Sequence, residues 1–453
     1  MQKKKEKQYT MDMCEGPLFG KILLFTLPLM LSSVLQLLFN AADVIVVGNF
    51  AGSQSLAAVG STGSLINLLT NLFIGLSVGV NVSVAHFMGA GEKERIAKTV
   101  HTSILLSMLS GIFLAFFGIG MARLLLIWMA SPADVIDLAT VYLRIYFMGM
   151  PALMLYNFGS AILRAAGDTR RPLYYLFFAG IVNVLLNLLF VIGLNMGVAG
   201  VATATVLSEY ISGFLVLWCL MKEEGSLHLE LRNLRIHWDI VKQLLRIGLP
   251  AGIQGTIFSL SNVVIQSSIN SFGSTVMAGS AAAANLEGFV YVSMNALYQT
   301  ALTFVSQNYG AGKRERIPGI LLRCQGMVVF VGLVLGNGAF LLGRQLLSIY
   351  SQDSHVIEAG MHRMAVICCF YFLCGMMDVM VGTLRGIGYS VMPMIVSLLG
   401  ACGLRLLWIA TIFTNIHTER VLYLSYPVSW FLTASVHFLT FLAVWRRIKK
   451  KNL

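Results

Sequence analysis

The chain has 453 residues, of which 57% are hydrophobic and only 11% are charged, with a formal net charge of +12. Soluble domains carry about 25% charged residues, so this composition excludes a soluble protein and indicates an integral membrane protein. The positive charge does not indicate nucleic-acid binding, because most lysines and arginines lie in the joins between apolar segments. The seven cysteines form neither a C-x-x-C pair nor a His/Cys cluster, so we expect packing cysteines and no resident metal.

Twelve apolar segments are long enough to cross a bilayer, which takes about 20 helical residues. They lie at residues 22–47, 56–86, 98–121, 137–162, 173–194, 198–221, 240–270, 276–307, 318–343, 357–383, 391–413 and 420–445. The sequence therefore predicts an all-α integral membrane protein with twelve transmembrane helices. Pro28 and Pro250 are candidates for kinks in the first and seventh of these helices.

The distribution of lysine and arginine predicts the orientation in the membrane. These residues are frequent in the N-terminal tail, in the joins after the even-numbered helices and in the C-terminal tail, and they are rare in the other joins. By the positive-inside rule, both termini are expected to be cytoplasmic.

An internal repeat divides the chain into two halves. GAGEKERI at Gly89–Ile96 returns 221 positions later as GAGKRERI at Gly310–Ile317, and Pro28 returns as Pro250. Each half holds six helices. Because six is even, the halves enter the membrane in the same orientation and are related by a parallel pseudo-two-fold repeat. The predicted domains are a cytoplasmic tail 1–16, a first lobe 17–221, a cytoplasmic linker 222–238, a second lobe 239–445 and a basic cytoplasmic tail 446–453.

The first helix carries the polar residues Gln36, Asn40 and Asp43 at spacings of four and three, which place them on one helix face. A lone carboxylate inside a membrane helix costs about 2.5–3.5 kcal/mol on insertion and normally faces a bundle interior or a cavity. Asp43 is therefore either a packing carboxylate or part of a cation site, with Gln36 and Asn40 as a supporting polar face.

The fifth and sixth helices each carry a polar pair spaced by four residues. Asn183 and Asn187 lie on the fifth helix, and Thr205 and Glu209 lie on the sixth. The asparagine pair is suited either to interhelical hydrogen bonding or to binding a cation. Glu209 has no partner that the sequence identifies and is a second cavity acid, a proton carrier or a packing residue.

The second half has three charged residues that are candidates to line a substrate cavity, Glu287, Asp378 and Arg405. Glu287 lies near the predicted outer end of its helix, where an interfacial position is the alternative. Arg405 is an intramembrane cation and needs a counter-charge. Asp378 is the nearest acid to it by sequence in the same lobe, so the two form either a structural ion pair or part of a substrate site.

Together, the twelve segments, the QLLFNAADVIVVG stretch Gln36–Gly48, the two GAG loops and the LRAAGDTRRP loop Leu163–Pro172 resemble the MATE (multidrug and toxic compound extrusion) family of transporters. The resemblance covers residues 17–445 and is closest to the DinF-like branch. It implies two six-helix lobes around a central cavity, alternating access, and export of organic cations driven by the entry of Na⁺ or H⁺.

In the DinF-like branch, an aspartate of helix 1, two polar residues of helix 5 and a threonine of helix 6 bind the coupling cation or relay protons. By position, these roles fall on Asp43, Asn183, Asn187 and Thr205. Asn187 departs from the branch, which often has a second aspartate there. One carboxylate with two amides and a hydroxyl still offers hard oxygen ligands, so the resemblance implies a possible Na⁺ site at Asp43. No cofactor is expected beyond transported Na⁺ or H⁺.

We interpret the chain as a multi-pass antiporter of the plasma membrane that exports cationic amphipathic compounds or drugs as a monomer. A lipid-linked precursor flippase or a specific metabolite exporter on the same scaffold is the alternative. A flippase favours a cavity rich in Arg and Lys, whereas the interior charges here are mainly Asp and Glu. An intramembrane enzyme requires a nucleophile and base or a metal motif such as H-E-x-x-H, and the sequence contains neither.

Overall fold

The computed structural model describes residues 9–129 and 131–450, apart from the side chain of Ser53. Residues 1–8 and 451–453, which belong to the two predicted tails, lie outside the described residues. In the described ranges the chain forms helices, turns and bends, without a strand. The α-helices are α1 Leu18–Phe50, α2 Ser53–Ala90, α3 Lys93–Trp128, α4 Ile136–Met148, α5 Met150–Ala165, α6 Arg170–Asn187, α7 Gly197–Lys222, α8 Trp238–Asn270, α9 Ser274–Gly310, α10 Ile317–Leu341, α11 Gly343–Ser348, α12 Ser354–Gly386, α13 Val391–Ser397, α14 Leu404–Trp408 and α15 Glu419–Lys450.

The predicted set of twelve transmembrane helices is confirmed, with one change. Ten segments are each long and apolar enough to cross a membrane, and α4 with α5 forms an eleventh as a pair bent by 46°. Helix α9 has 37 residues, enough to cross, but its many alanines and serines make it less apolar than the others. The change is at Gly149, which breaks the single helix predicted at residues 137–162.

Wider helical turns interrupt two of the spans. Helix α6 continues into the π-helix Leu188–Gly193. In the second half, the π-helices Leu398–Gly403 and Ile409–Phe413 flank α14. Ile409 lies 221 positions after Leu188, so one of these π-helices recurs with the repeat. Such π segments are rare and are frequently found at functional sites.

The repeat in the sequence is also a repeat in the backbone. Gly91 and Gly312, which end the GAG loops, have φ angles of 71° and 72°. Gly167 and Gly388, in the loops before α6 and α13, have φ angles of 88° and 100°. These left-handed conformations strain any residue with a Cβ, which explains why glycine occupies both copies of each loop.

The chain forms two compact units. The first contains the described residues up to Glu15 and Leu31–Gly252, and the second contains Gly16–Met30 and the described residues from Ile253 onward. The boundaries therefore fall inside α1 and α8, close to Pro28 and Pro250, and not at the linker 222–238. Both prolines lie inside continuous helices, and the predicted kinks stay a prediction.

The linker 222–238 packs within the first unit. Leu227 and Leu229 are buried, and the Glu230 N–H donates to His101 Nε2 of α3 at 3.1 Å. In the same unit, α8 crosses α2 so closely that a Cβ on Gly75 would lie 2.2 Å from the backbone nitrogen of Gly252. This contact explains Gly75 as a packing glycine.

Candidate functional site

Three helices of the first unit bring four of the predicted site residues together. Asp43 lies on α1, Asn183 and Asn187 on α6, and Thr205 on α7. The Asn187 side-chain amide donates to Asp43 Oδ1, and the Thr205 hydroxyl lies 3.2 Å from Asp43 Oδ2. Asn187 Nδ2 also lies 3.3 Å from Asn183 Oδ1, and Asn183 Nδ2 lies 3.5 Å from Thr205 Oγ1. We call these four residues the Asp43 cluster.

The Asp43 carboxylate is buried and has no cationic partner in the part of the chain that the structure describes. Only 9% of Asp43 is exposed, and its side-chain hydrogen-bond partners among the described residues are the neutral groups of Asn187, Thr205 and Asn183. The Thr205 hydroxyl has one proton and a second acceptor, the Val201 carbonyl oxygen at 3.0 Å. Neutral donors only partly replace the lost hydration of a buried carboxylate. The cluster therefore favours any event that removes this charge.

The Asp43 cluster borders a small cavity of about 90 Å³. Gln36 and Asn40, the predicted supporting face of α1, line the cavity together with Asp43 and Glu209. The remaining lining residues are Phe39, Leu153, Tyr156, Leu176, Ala179, Gly180, Asn183, Thr205, Ser208 and Ser212. The polar groups predicted on three different helices thus meet at one cavity, which aromatic and aliphatic side chains also line.

Glu209 has a carboxylate oxygen that no described residue satisfies. Its Oε2 is buried and lacks a hydrogen-bond partner within the described part of the chain. The same oxygen lies 2.3 Å from the position that a Cβ on Gly149 would occupy. Gly149 is the residue at which α4 and α5 bend, so the break in this span leaves room for the Glu209 carboxylate. The sequence pattern did not predict this contact.

The Asp43 cluster has the donor set of a site for a hard monovalent cation. It offers carboxylate, amide and hydroxyl oxygens, the ligand types that hard cations prefer. The Asn187 Oδ1 atom is buried and has no hydrogen-bond partner among the described residues. Proton binding by Asp43 would remove the same charge, so the geometry accommodates both chemistries. Among the described residues, no group of three His, Cys, Asp or Glu side chains could hold a metal ion.

Glu287 is buried in an ion pair, and its assignment to a substrate cavity stays a prediction. It is 4% exposed and forms a two-pronged ion pair with Arg363 of α12, with Nε to Oε1 at 2.9 Å and Nη2 to Oε2 at 2.7 Å. The remaining Arg363 nitrogen, Nη1, donates to Ser280 Oγ at 2.9 Å. The sequence contained a signal for this pair, because Glu287 and Arg363 are opposite charges inside two predicted spans of the same lobe.

Asp378 and Arg405 do not form the ion pair considered from the sequence. The Asp378 carboxylate interacts with the Tyr291 hydroxyl. The Arg405 guanidinium donates from Nε to Ser429 Oγ at 2.8 Å and lies over the ring of Tyr426, 4.3 Å from its centroid. The physical reason is that each charge has other partners. The Tyr291 hydroxyl interacts with Asp378, and the Ser429 hydroxyl and the Tyr426 ring contact Arg405.

Arg385 is a buried residue of the second unit that the charge count treated as part of a cytoplasmic join. It is 4% exposed and donates to the Tyr298 hydroxyl and to Gln254 Oε1, both at 2.8 Å. It thus links the end of α12 to α9 and α8. Its repeat equivalent, Arg164, has a buried Nε without a hydrogen-bond partner among the described residues.

The family model described as MatE matches this chain twice, at residues 28–189 and 250–410. The two matches fall in the two halves of the internal repeat and together cover most of the chain. The chain belongs to the MATE family. It is therefore a multi-span membrane transporter, as the resemblance in the sequence implied.

Similar curated proteins extend over nearly all of this MATE chain. It is 27% identical to the probable multidrug resistance protein YoeA of Bacillus subtilis, over 99% of this chain and 98% of that protein. It is 25% identical to the probable multidrug resistance protein NorM of Thermotoga maritima, over 85% and 84%. Both relatives carry names from multidrug resistance. The DinF-like branch stays a prediction.

A solved structure supports the MATE fold. The outward-facing conformation of a multidrug resistance MATE family transporter of the MOP superfamily superposes with a TM-score of 0.91 at 23% identity. The match covers 99% of this chain and 100% of that chain. At this identity the likeness establishes the fold, with twelve transmembrane helices in two six-helix lobes.

Proposed function

We propose that this chain is an antiporter that exports cationic amphipathic compounds, driven by inward movement of Na⁺ or H⁺ through the Asp43 cluster. The observation that supports this proposal most is the buried, unpaired Asp43 carboxylate, held by neutral donors from α6 and α7. An intramembrane acid with such surroundings marks an ion or proton pathway in transporters. The names of the multidrug resistance relatives agree with compound export.

Ion binding changes the contacts among three helices. When H⁺ binds Asp43, the Asn187 amide and the Thr205 hydroxyl lose a charged acceptor, and when Na⁺ binds, it competes with these two donors for the Asp43 oxygens. The strength of these hydrogen bonds falls, because bonds to ionised groups are roughly twice as strong as neutral ones. Helices α1, α6 and α7 are then free to repack. This repacking couples ion entry to alternating access, as a local charge change biases an element with two packings.

Glu209 is the residue we assign to the positive group of the exported compound. Its Oε2 atom is buried and lacks a described hydrogen-bond partner, whereas both Asp43 oxygens have donors. The cavity of about 90 Å³ is smaller than the roughly 300–1,000 Å³ of pockets for drug-sized ligands. It therefore accommodates one cationic group, and the rest of the compound lies outside it or widens it.

The lipid-linked precursor flippase and the specific metabolite exporter are less well supported. A pyrophosphate headgroup requires basic donors, and the cavity beside Asp43 is lined by two acids and no Lys or Arg. We further propose that the protein acts as a monomer in the plasma membrane with both termini cytoplasmic, which follows from the charge distribution.

Efflux of ethidium from vesicles that contain the purified protein tests the proposal. Na⁺ and pH gradients are imposed separately, so the coupling ion is identified in the same experiment. We expect one gradient, or both, to drive ethidium movement above the rate of protein-free vesicles. Equal rates with and without gradients would refute cation coupling, and no movement under any gradient would refute export of this class of compound.

A further inference from the structure

The repeat assigns counterparts in the second unit to the main polar residues at the cavity beside Asp43. The offset of 221 relates Asn187 to Trp408, Thr205 to Tyr426 and Glu209 to Trp430, and the offset of 222 between Pro28 and Pro250 relates Asp43 to Ile265. These four counterparts pack in one hydrophobic cluster. The carboxylates of Asp43 and Glu209 are therefore replaced in the second unit by an apolar side chain, Ile265, and an aromatic one, Trp430.

Two described guanidinium groups lie over the Tyr426 ring: Arg363, at 5.8 Å and already paired with Glu287, and Arg405. Arg405 lies on α14, between the two π-helices, and follows the counterpart of Asn183 by one residue. Its guanidinium carbon is 4.3 Å from the ring centroid of Tyr426 and 5.5 Å from that of Trp430. Ser429, the repeat equivalent of Ser208, accepts from its Nε at 2.8 Å.

Arg405 is buried, yet its charge is not neutralised within the described residues. Only 8% of its surface is exposed. Nε is the one nitrogen of Arg405 with a described hydrogen-bond acceptor. No described carboxylate lies within ion-pair distance of Arg405: Glu287 pairs with Arg363, and Asp378 interacts with Tyr291. Rings compensate a buried cation only in part. The two terminal nitrogens are therefore available to an acceptor that the described residues do not supply.

Stacked rings extend from Arg405 through the unit. Trp430 stacks with Tyr371 at a centroid distance of 5.2 Å, and Tyr371 stacks with Tyr291 at 6.4 Å. Tyr291 is 37% exposed. A planar aromatic ligand would find stacking partners along this series, and a guanidinium at its end would provide the planar fork that matches a carboxylate or phosphate.

We propose that Arg405, Tyr426 and Trp430 form a subsite of the second unit that binds an anionic group, a carboxylate or phosphate, carried by an aromatic compound. This inference rests on the proposed export function and deepens it. The exported compounds then include aromatic ones that carry a carboxylate or phosphate for Arg405.

A pair of probes that differ only in the anionic group tests this proposal. Ciprofloxacin has a carboxylate, an aromatic ring system and a positive amine, and its methyl ester lacks only the carboxylate charge. Binding of each to the purified full chain in detergent is followed by fluorescence anisotropy. The measurement uses no ion gradient, so its outcome is independent of whether transport is cation-coupled.

We expect the wild-type protein to bind ciprofloxacin, and Arg405→Gln to weaken this binding on the order of tenfold, as for a lost charge-assisted hydrogen bond. Binding of the methyl ester should change less than about twofold. Arg405→Lys, which keeps the charge but loses the fork, should weaken ciprofloxacin binding by an intermediate factor. Arg144→Gln, on α4 of the first unit, is a control at an exposed arginine and should affect neither probe.

Three results would overturn the proposal. They are equal weakening of both probes by Arg405→Gln, no weakening of ciprofloxacin, or no binding of ciprofloxacin to the wild type. If Arg405→Gln does not give a monodisperse protein, Arg405→Lys provides the test, and unchanged ciprofloxacin binding in that variant counts against the subsite. Gradient-driven ethidium efflux from vesicles that contain the same variants reports separately on the proposed export function.

Discussion

Asn187 donates from its side-chain amide to the carboxylate of Asp43, although the two residues are 144 positions apart in the chain. This hydrogen bond joins α6 to α1 at a buried position of the first unit. Asn187 is fully buried and is the last residue of α6 before the π-helix Leu188–Gly193. A change in the charge of Asp43 therefore acts directly on the point where the helical turn widens.

The first prediction concerns the Asp43 charge. Asp43→Asn should abolish gradient-driven ethidium efflux, because the amide is neutral in every ionic condition and cannot cycle between charged and neutral forms. The protein should still insert, since the change removes a buried charge. Efflux from vesicles and size-exclusion profiles measure the two effects. Wild-type efflux by a variant present in equal amount would contradict the assignment.

The second prediction concerns the buried pair of Glu287 and Arg363. Glu287→Gln leaves the guanidinium without its counter-charge and should lower the free energy of unfolding by about 3–5 kcal/mol. Thermal unfolding in detergent measures this effect. Asp137→Asn is the matched control. Its partner is Arg123, both side chains are more than half exposed, and such a pair contributes about 0–1 kcal/mol.

The double variant Glu287→Gln with Arg363→Met separates a structural pair from a substrate site. It should recover much of the stability lost in Glu287→Gln, because no unpaired charge stays buried. Any ethidium efflux that Glu287→Gln loses through instability should recover together with the stability. Recovered stability together with lost efflux would indicate that Glu287 acts on the substrate after all.

The sequence predicted the parts of this protein that depend on local pattern. The polar spacings around Asp43 and Asn187 were enough to place their side chains on helix faces, and the repeat was enough to divide the spans. The break at Gly149 had a local signal that the apolar segments alone did not show, because Pro151 lies in the first turn of α5 and cannot donate a helix hydrogen bond. The close approach of Glu209 to Gly149 was not predictable, because it depends on the packing of α7.

The sequence also did not predict which partner each buried charged residue contacts. Arg363 and Glu287 are 76 positions apart, and nearness in sequence suggested Asp378 as the partner of Arg405. A helix face can be read from spacing, whereas the rotation and depth of two helices against each other decide which faces meet. Tyr426 and Ser429 lie on a different helix, α15, and reach Arg405 only through this packing.

The third prediction concerns topology. In a cysteine-free background, single cysteines at Ser274 and Thr418 should react with an impermeant maleimide in intact cells. Cysteines at Glu92 and Glu315 should react only after permeabilisation. The reason is the concentration of basic residues in the joins that contain Glu92 and Glu315. Labelling of Glu315→Cys from outside would contradict the parallel repeat, and labelling of Glu92→Cys from outside would invert the orientation.

The last prediction is that ion dependence belongs to the first unit. Asn187→Ala and Thr205→Ala each remove a hydrogen-bond partner of the Asp43 carboxylate and should shift the Na⁺ or H⁺ concentration for half-maximal efflux by roughly tenfold. Ethidium affinity should change less, because neither residue contacts Glu209 Oε2 in the described structure. Asp378→Asn, in the second unit, should leave the ion dependence unchanged and weaken ethidium binding, since it removes a carboxylate beside the ring of Tyr291. Efflux measured as a function of ion concentration, together with equilibrium dye binding, distinguishes the two classes of variant. If Asp378→Asn moved the ion dependence while Asn187→Ala and Thr205→Ala did not, the coupling site would lie in the second unit.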